Sequence, residues 1–294
     1  MEQILHKKQE QQVMWMLLVL VYGVLKGCRE VVKKKSLQKN TVMEVLFLYT
    51  LLSFLMVTPQ LPKVGGLSAK LLLLVALKSF VIFVAWICSF KAIKQLPISY
   101  YGILDLSRVL FATLLGVFVL QETLGVFQVI GLILVCSGLL LLKYRKKGGA
   151  KEEKVAALYV AMALLSCMLN AVSGLMDKLL MKRMSSENLQ FFYMLFLVLF
   201  YAVYILVSRT KIRFKSLFTN YWIWLLSLMF VVADRALFIA NGMEESRVTV
   251  MTLIKQSGCI VTILAGKFIF HEKNIGYKLF CAAVIVCGIV IAVL

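Results

Sequence analysis

The chain states the same pattern twice. Residues 116–122 read GVFVLQE and residues 266–272 read GKFIFHE. A shift of 150 residues pairs Ser107 with Ser257, Gly116 with Gly266, Phe118 with Phe268, Glu122 with Glu272, and Gly138 with Gly288. The earlier parts align at a shift of 147, pairing Gly27 with Gly174, Glu30 with Asp177, and Lys35 with Lys182. A duplication inside a very apolar chain is the build of a membrane transporter. Each half holds an odd number of apolar runs, so the two copies must cross a bilayer in opposite senses, which makes an inverted repeat.

Hydrophobic residues form 62% of the chain, against roughly 45–50% in a soluble domain. A water-soluble fold cannot cover that much apolar surface, so lipid is the expected solvent. The N-terminal stretch MEQILHKKQEQQ is too polar, and the run after it too long, for a cleaved signal peptide; the first span is expected to insert the chain. A net charge of +19 reads as orientation of basic loops and contact with anionic lipid headgroups, not nucleic-acid binding. Seven scattered cysteines show neither CxxC nor Cys/His spacing, so no metal, cofactor or disulfide is expected.

Ten apolar runs lie at about 12–32, 42–60, 68–92, 97–119, 124–143, 155–179, 188–208, 219–240, 246–270 and 275–294, each near the ~20 residues that cross the hydrocarbon. The expected fold class is all-α and integral to the membrane. The polar segment 143–154 separates a first half, 1–147, from a second, 148–294. Odd-numbered loops carry more Lys and Arg, among them Lys33, Lys34, Lys35, Lys91, Lys94, Arg209, Lys211, Arg213 and Lys273, which places them in the cytoplasm and both termini outside. Gly131, Gly138, Cys281 and Gly288 recur near every seventh residue on the fifth and tenth spans, a spacing for close helix packing and not a ligand site.

Ionisable residues at bilayer depth cost about 2.5–3.5 kcal/mol each on insertion scales, so each is a candidate for function or must be paired. On the fourth span Tyr101, Asp105 and Arg108 share one helix face. Asp105 and Arg108 either neutralise each other or leave Arg108 to hold an anion. Lys255, followed by Gln256, stands where Asp105 stands in the first copy, and the two are expected to meet across a cavity. On the eighth span Asp234 and Arg235 point about 100° apart, so one faces the cavity and the other a helix interface. Lys78 sits mid-span with Trp86 two turns later; Trp86 either stacks on a ligand ring or packs. The first span ends in Lys26, Arg29 and Glu30, with Lys26 and Glu30 spaced to pair. The sixth answers with Asn170, Ser173 and Asp177, and Glu30 and Asp177 are expected to share a structural task near the membrane face. The cations Lys26, Arg29, Lys78, Arg108, Arg235 and Lys255 outnumber Glu30, Asp105, Asp177 and Asp234, which favours a negatively charged group on the cargo.

Residues 92–142, AIKQLPISYYGILDLSRVLFATLLGVFVLQETLGVFQVIGLILVCSGLLLL, resemble the second part of a repeat of the drug/metabolite transporter superfamily, EamA type, with Ala92, Gly116, Glu122, Gly131 and Gly138 at the pattern positions. Gly242, Gly266, Glu272 and Gly288 fill them in the second half. The resemblance implies ten helices in two inverted five-helix repeats, with spans 1–4 and 6–9 around a central cavity and spans 5 and 10 closing the repeat interface. It also implies alternating access. Small multidrug members of the superfamily resemble the first span, and Lys26 falls near their cation-binding glutamate. That charge reversal favours anionic or zwitterionic cargo over cationic drugs.

The expected activity is secondary transport of a small anionic or zwitterionic metabolite at the cell membrane, with an amino-acid or drug exporter of the same superfamily as the alternative. No Walker motif points to ATP; protons, through Asp105 or Asp234, are candidate coupling ions. A membrane-embedded enzyme lacks its catalytic set here, since the only histidines are His6 and His271. A purely structural role does not account for so many mid-span charges. The chain is expected to be a monomer or homodimer, in contact with lipid and a small-molecule substrate.

Overall fold

The structure is a computed structural model describing residues 2–120, 125–143, 157–243 and 254–293. Glu122, Arg247 and the linker from 144 onward lie outside the described residues. Every regular element among those described is helical: α1 (Glu2–Ser36), α2 (Val42–Val57), a 3-10 turn (Thr58–Lys63), α3 (Ala69–Gln95), α4 (Ile98–Asp105), α5 (Ser107–Leu120), α6 (Val126–Lys143), α7 (Ala157–Met181), α8 (Ser186–Ser208), α9 (Ser216–Thr219), α10 (Tyr221–Gly242), α11 (Ser257–Phe268) and α12 (Ile275–Val293). Six spans within this set, Val42–Lys63, Ala69–Gln95, Ile98–Leu115, Ala157–Met181, Ser186–Ser208 and Tyr221–Gly242, are long and apolar enough to cross a bilayer; 129–142, 257–268 and 275–291 form shorter apolar helices. The outer surface is greasy. Leu206, Val207 and Leu73 are 75%, 80% and 70% exposed, which a lipid solvent tolerates and water does not.

Local chemistry sets the helix starts. Thr41 Oγ1 accepts the Glu44 N–H while the Glu44 carboxylate accepts that of Thr41, a reciprocal cap that opens α2. Ser68 and Ser185 cap α3 and α8. Pro97, which has no N–H to offer, stands just before α4.

The fourth predicted span is not one helix. It breaks at Leu106, where the Val109 N–H bonds the Leu106 carbonyl three residues back. The ninth shows the same turn at Gln256, with the Cys259 N–H on the Gln256 carbonyl. The two turns lie 150 residues apart, the spacing that aligned Ser107 with Ser257. Asp105 and Ser107 on one side and Gln256, Ser257 and Gly258 on the other disfavour continuous helix by local polarity and backbone freedom.

Glycines set the crossings. A methyl on Gly23 would stand 2.8 Å from the Ile254 carbonyl and 3.5 Å from the Lys255 Cα; one on Gly258 would stand 2.7 Å from the Gly23 carbonyl. The Gly23–Gly27 spacing, four residues apart on the first span, therefore seats α1 directly against the break of the ninth. From sequence, close helix packing is expected only on the fifth and tenth spans. There the glycines serve as expected: a methyl on Gly288 would meet the Gly131 carbonyl at 2.7 Å, and one on Gly138 would meet the Cys281 carbonyl at 3.2 Å. These contacts, with the Tyr277 hydroxyl on the Leu141 carbonyl, make α6 and α12 an antiparallel pair. The other long helices pack around a centre, α1 on α10 and α11, α2 on α8 and α10, α3 on α7 and α8, and α5 on α7.

The repeated Gly-x5-Glu pattern has a mechanical meaning in its second copy. Glu272 accepts the N–H groups of Ile98 and Ser99 and the Ser99 hydroxyl, and it pairs with Lys278 at 3.1 Å. A carboxylate from the second half thereby caps α4 of the first. A methyl on Gly266 would crowd both the Glu272 carboxylate and Ser99 at 3.0 Å, so glycine keeps the space open. Burial alone would raise the Glu272 carboxyl; the bonds from Ser99 and the charge of Lys278 outweigh it and hold the group below the ordinary carboxylate range. A group depressed in the folded state stabilises above its unfolded pKa, and that stability is lost as pH falls through the folded value. In detergent, Glu272→Gln is expected to melt earlier than the parent protein by the equivalent of about 1–2 kcal/mol near neutrality. The gap is expected to close on acidification. Superimposable melting curves for the two proteins across that range would remove the cap from the fold's support.

Candidate functional site

The helices enclose a cavity of about 330 Å³, room for about eleven waters. Its walls come from α1, α2, α3, α4, α5, α7, α8, α10 and residues 255–256. The expected candidates Lys26, Lys78, Trp86, Tyr101, Arg108, Asn170, Asp234, Lys255 and Gln256 all line it. Asp105 lies just behind the wall, 8% exposed, and Arg235 lies away from it.

Most of the charge is paired. Asp105 takes two cations, Lys26 from α1 and Arg108 at 2.7 Å from α5. Arg29 meets Asp234 at 3.3 Å and Lys33 meets Glu30 at 2.6 Å. Lys78, 1% exposed, meets Asp177 at 3.0 Å and stands 3.5 Å over the ring of Tyr193. Lys255 differs. Among the described residues no carboxylate lies within 4.0 Å of it; its near neighbour is the Tyr22 ring, 5.9 Å from Nζ. The charges acting on it are Asp177, Lys26 and Arg108. Arg108 is itself incompletely used, since its buried Nε has no hydrogen-bond partner.

The other half of the cavity is aromatic. Tyr49, Trp86 and Phe230 form a triangle with ring centroids 5.0–5.4 Å apart, and Tyr193 stands edge-on to Trp86 at 6.3 Å. The Arg29 guanidinium lies 5.1 Å over Phe230. Trp86 thus packs and faces the cavity at once. Hydrogen bonding fixes the polar wall: Ser89 and Tyr101 share a 2.7 Å bond, and Asn170 Nδ2 donates 2.7 Å to the Ser166 carbonyl.

Several sequence expectations are corrected by this geometry. Asp105 does not reach Lys255, because the glycine-lined approach of α1 brings Lys26 to Asp105 first. Lys26 does not pair with Glu30; Lys33, three residues on, holds both carboxylate oxygens at 2.6 and 2.8 Å. Glu30 and Asp177, matched by the repeat, do share a structural task. Each lines the cavity and neutralises one lysine. Arg235 leaves the site because Glu187 captures it, with Gln60 at 3.2 Å from its other nitrogen. The separation of Asp234 and Arg235 onto two surfaces is as their 100° offset required.

Tyr22, Tyr49, Tyr193, Phe230 and Lys33 were not singled out from the sequence, and Arg29 was counted only in the charge balance. The aromatics sit at helical spacing among apolar residues, a pattern indistinguishable from core. For Lys33 the signal was present but misleading, since it belongs to the run Lys33-Lys34-Lys35 that reads as an exposed loop.

Residues 13–144 match the model of the EamA-like transporter family. The first part of the chain is thus similar to that family, as the motif resemblance implied, and six of the described spans are long and apolar enough to cross a membrane. No curated protein matches the chain. A solved crystal structure is similar over 97% of this chain and 96% of its own length, with a TM-score of 0.62 and 15% sequence identity, a likeness of fold alone.

Two substitutions separate the structural charges from the one left over. Asp105→Asn leaves Lys26 and Arg108 without their shared counter-ion and is expected to cost about 3–5 kcal/mol of stability. Lys255→Met removes a cation that neutralises nothing and is expected to melt no earlier than the parent. Thermal unfolding in detergent reads both. An early-melting Lys255→Met variant would show that this lysine holds the fold together.

Proposed function

We propose that this protein is a secondary transporter that moves a small anionic or zwitterionic metabolite through the central cavity by alternating access. The observation that carries the reading is Lys255, a cation facing the cavity with no carboxylate within 4.0 Å among the described residues, Asp177 being the carboxylate whose field reaches it and Lys26 and Arg108 opposing. A buried cation without a counter-ion is costly unless water or a ligand supplies the missing charge. The neighbouring aromatic triangle offers an apolar seat for the rest of the molecule, and the cavity volume falls at the low end of small-ligand sites.

The two halves, 1–147 and 148–294, act in this reading as inverted repeats. The antiparallel α6–α12 pair and the matched helix breaks at Leu106 and Gln256 support it. Broken helices at mid-membrane leave backbone groups free beside a binding site and supply natural pivots for rocking. Candidate roles follow from position. Lys255 and Arg108 hold the anionic group, Lys26 and Asp105 set the charge on Arg108, and Gln256, Asn170 and Tyr101 offer polar contacts. Lys78, Asp234 and Trp86 shape the aromatic end.

Proteoliposomes screened with labelled carboxylic acids, amino acids and phosphorylated metabolites test the reading. Arg108→Ala and Lys255→Ala are each expected to reduce flux of the transported compound at least a hundredfold while the purified proteins stay monodisperse. Normal flux in both variants would remove these residues from the pathway.

A further inference from the structure

The shift of 147 residues sets the loop that leaves α8, RTKIRFKS (209–216), against the loop that leaves α2, PKVGGLSA (62–69). Each is tied to the helix start of the other half. The Gly65 N–H donates 2.9 Å to Asn188 Oδ1 at the start of α8, and the Arg213 N–H donates 3.2 Å to Glu44 Oε1 at the start of α2. The contacts correspond; the chemistry does not. The first loop holds one lysine and two glycines, whereas the second places Arg209, Lys211, Arg213 and Lys215 at every other position.

Residues 209–216 lead from Ser186–Ser208 toward Tyr221–Gly242, two helices long and apolar enough to cross a bilayer, so they lie at a membrane face. All four cations are exposed. Two more stand beside them. Asn40 Nδ2 donates 2.6 Å to Ser216 Oγ, Lys94 Nζ donates 3.2 Å to the Asn40 carbonyl, and Lys39 precedes Asn40 in the chain. Among the described residues, Glu44 is the only carboxylate within 4.0 Å of any of the six. It takes Arg213 Nε at 2.9 Å and Nη2 at 3.3 Å. The Arg213 side chain nevertheless stays 66% exposed, so Glu44 fixes the guanidinium while leaving much of it open to a second anion. A group ordered in advance binds without first losing its own freedom.

Basic residues alone would report only the orientation of the chain. The aromatic residues among them add a second signal. Phe214 is 53% exposed, Phe218 87% and Tyr221 63%. At a lipid surface such rings enter the boundary between headgroups and chains, while neighbouring ammonium and guanidinium groups stay at the level of the phosphates. We propose that residues 209–218 form a binding site for an anionic phospholipid, with Lys211, Arg213 and Lys215 on the headgroup phosphate and Phe214 and Phe218 beside the chains. The site is fastened to α2 through Glu44, and to α1 through Asn220, whose Nδ2 donates 3.1 Å to the Ser36 carbonyl. A bound headgroup therefore bears on helices of both halves.

Trp222 and Trp224 follow directly at the start of α10, whereas Trp15 and Trp86 are buried. Quenching of tryptophan fluorescence in phosphatidylcholine vesicles containing brominated phosphatidylglycerol reads which lipid sits there, with brominated phosphatidylcholine as the neutral reference. The parent protein is expected to favour phosphatidylglycerol about fivefold. Lys211→Ala combined with Lys215→Ala removes two exposed side chains that form no ion pair. It is expected to bring the ratio near one at an unchanged melting temperature, and Lys211→Arg with Lys215→Arg is expected to retain it. Lys63→Ala, in the corresponding loop, is expected to leave the ratio as it is. A ratio near one in the parent, or one that the alanine pair does not lower, overturns the site. An equal fall in Lys63→Ala also overturns it, since net charge would then explain the preference. Inorganic phosphate added at millimolar concentration is expected to leave the quenching by phosphatidylglycerol intact. Relief of that quenching would make free phosphate the occupant and overturn the lipid.

Discussion

Asp105 neutralises two cations at once, and the charge distribution of the interior follows from that sharing. One carboxylate cannot fully satisfy both Lys26 and Arg108. The guanidinium keeps an unpartnered Nε, and Lys255, which the sequence symmetry set opposite Asp105, is left without a counter-ion among the described residues. Had Lys26 been apolar, Asp105 would belong to Arg108 alone and the cavity would hold one charge fewer. The extra cation on the first span therefore does more than line the wall; it shifts the electrostatic balance of residues on two other helices.

That arrangement needs α1 to lie unusually near the ninth span. Side chains at Gly23, Gly27 or Gly258 would push the helices apart, since backbone atoms of the facing helix sit where a methyl would go. Close approach also explains why the ninth span breaks where it does. At Gln256 the chain turns beside the α1 glycines and presents Lys255 to the cavity, while α4 and α5 turn at Leu106 and present Arg108, with Asp105 just behind the wall. Glu272 fixes the start of α4 from the other half of the molecule, so the position of Tyr101 and Asp105 depends on a loop far away in sequence.

The helical architecture and most of the charged part of the cavity wall were legible in the sequence because bilayer depth makes an ionisable residue conspicuous. Lys26, Lys78, Arg108, Asp234 and Lys255 needed no further clue. Partner choice was not legible. Spacing along one helix suggested Lys26 with Glu30, and repeat symmetry suggested Asp105 with Lys255; the actual partners were chosen by how closely glycine lets helices approach, a property of two chains of residues and not of one. The break in each of two spans was equally hidden, since LDLSR and LIKQS carry no proline and read as continuous apolar helix. Tyr49, Trp86, Tyr193 and Phe230 converge from four helices, so no window of sequence contains more than one of them.

Lys78 and Lys255 together show what a lysine does at this depth. Lys78 is almost wholly covered, meets a carboxylate at 3.0 Å and lies flat against an aromatic face. Every route by which a protein compensates a buried ammonium is present, and nothing about it asks for a ligand. Lys255 has a more distant ring and an open cavity in front of it. On the transport reading proposed above, its charge is compensated by whatever enters, water in one moment and solute in another. Desolvation makes the exchange unequal: a bound anion that displaces that water meets the cation in a lower dielectric, where attraction is stronger. On that reading, a lysine left short of a partner lets a greasy bundle hold an anion and later release it, because the grip weakens again as soon as the cavity opens to water.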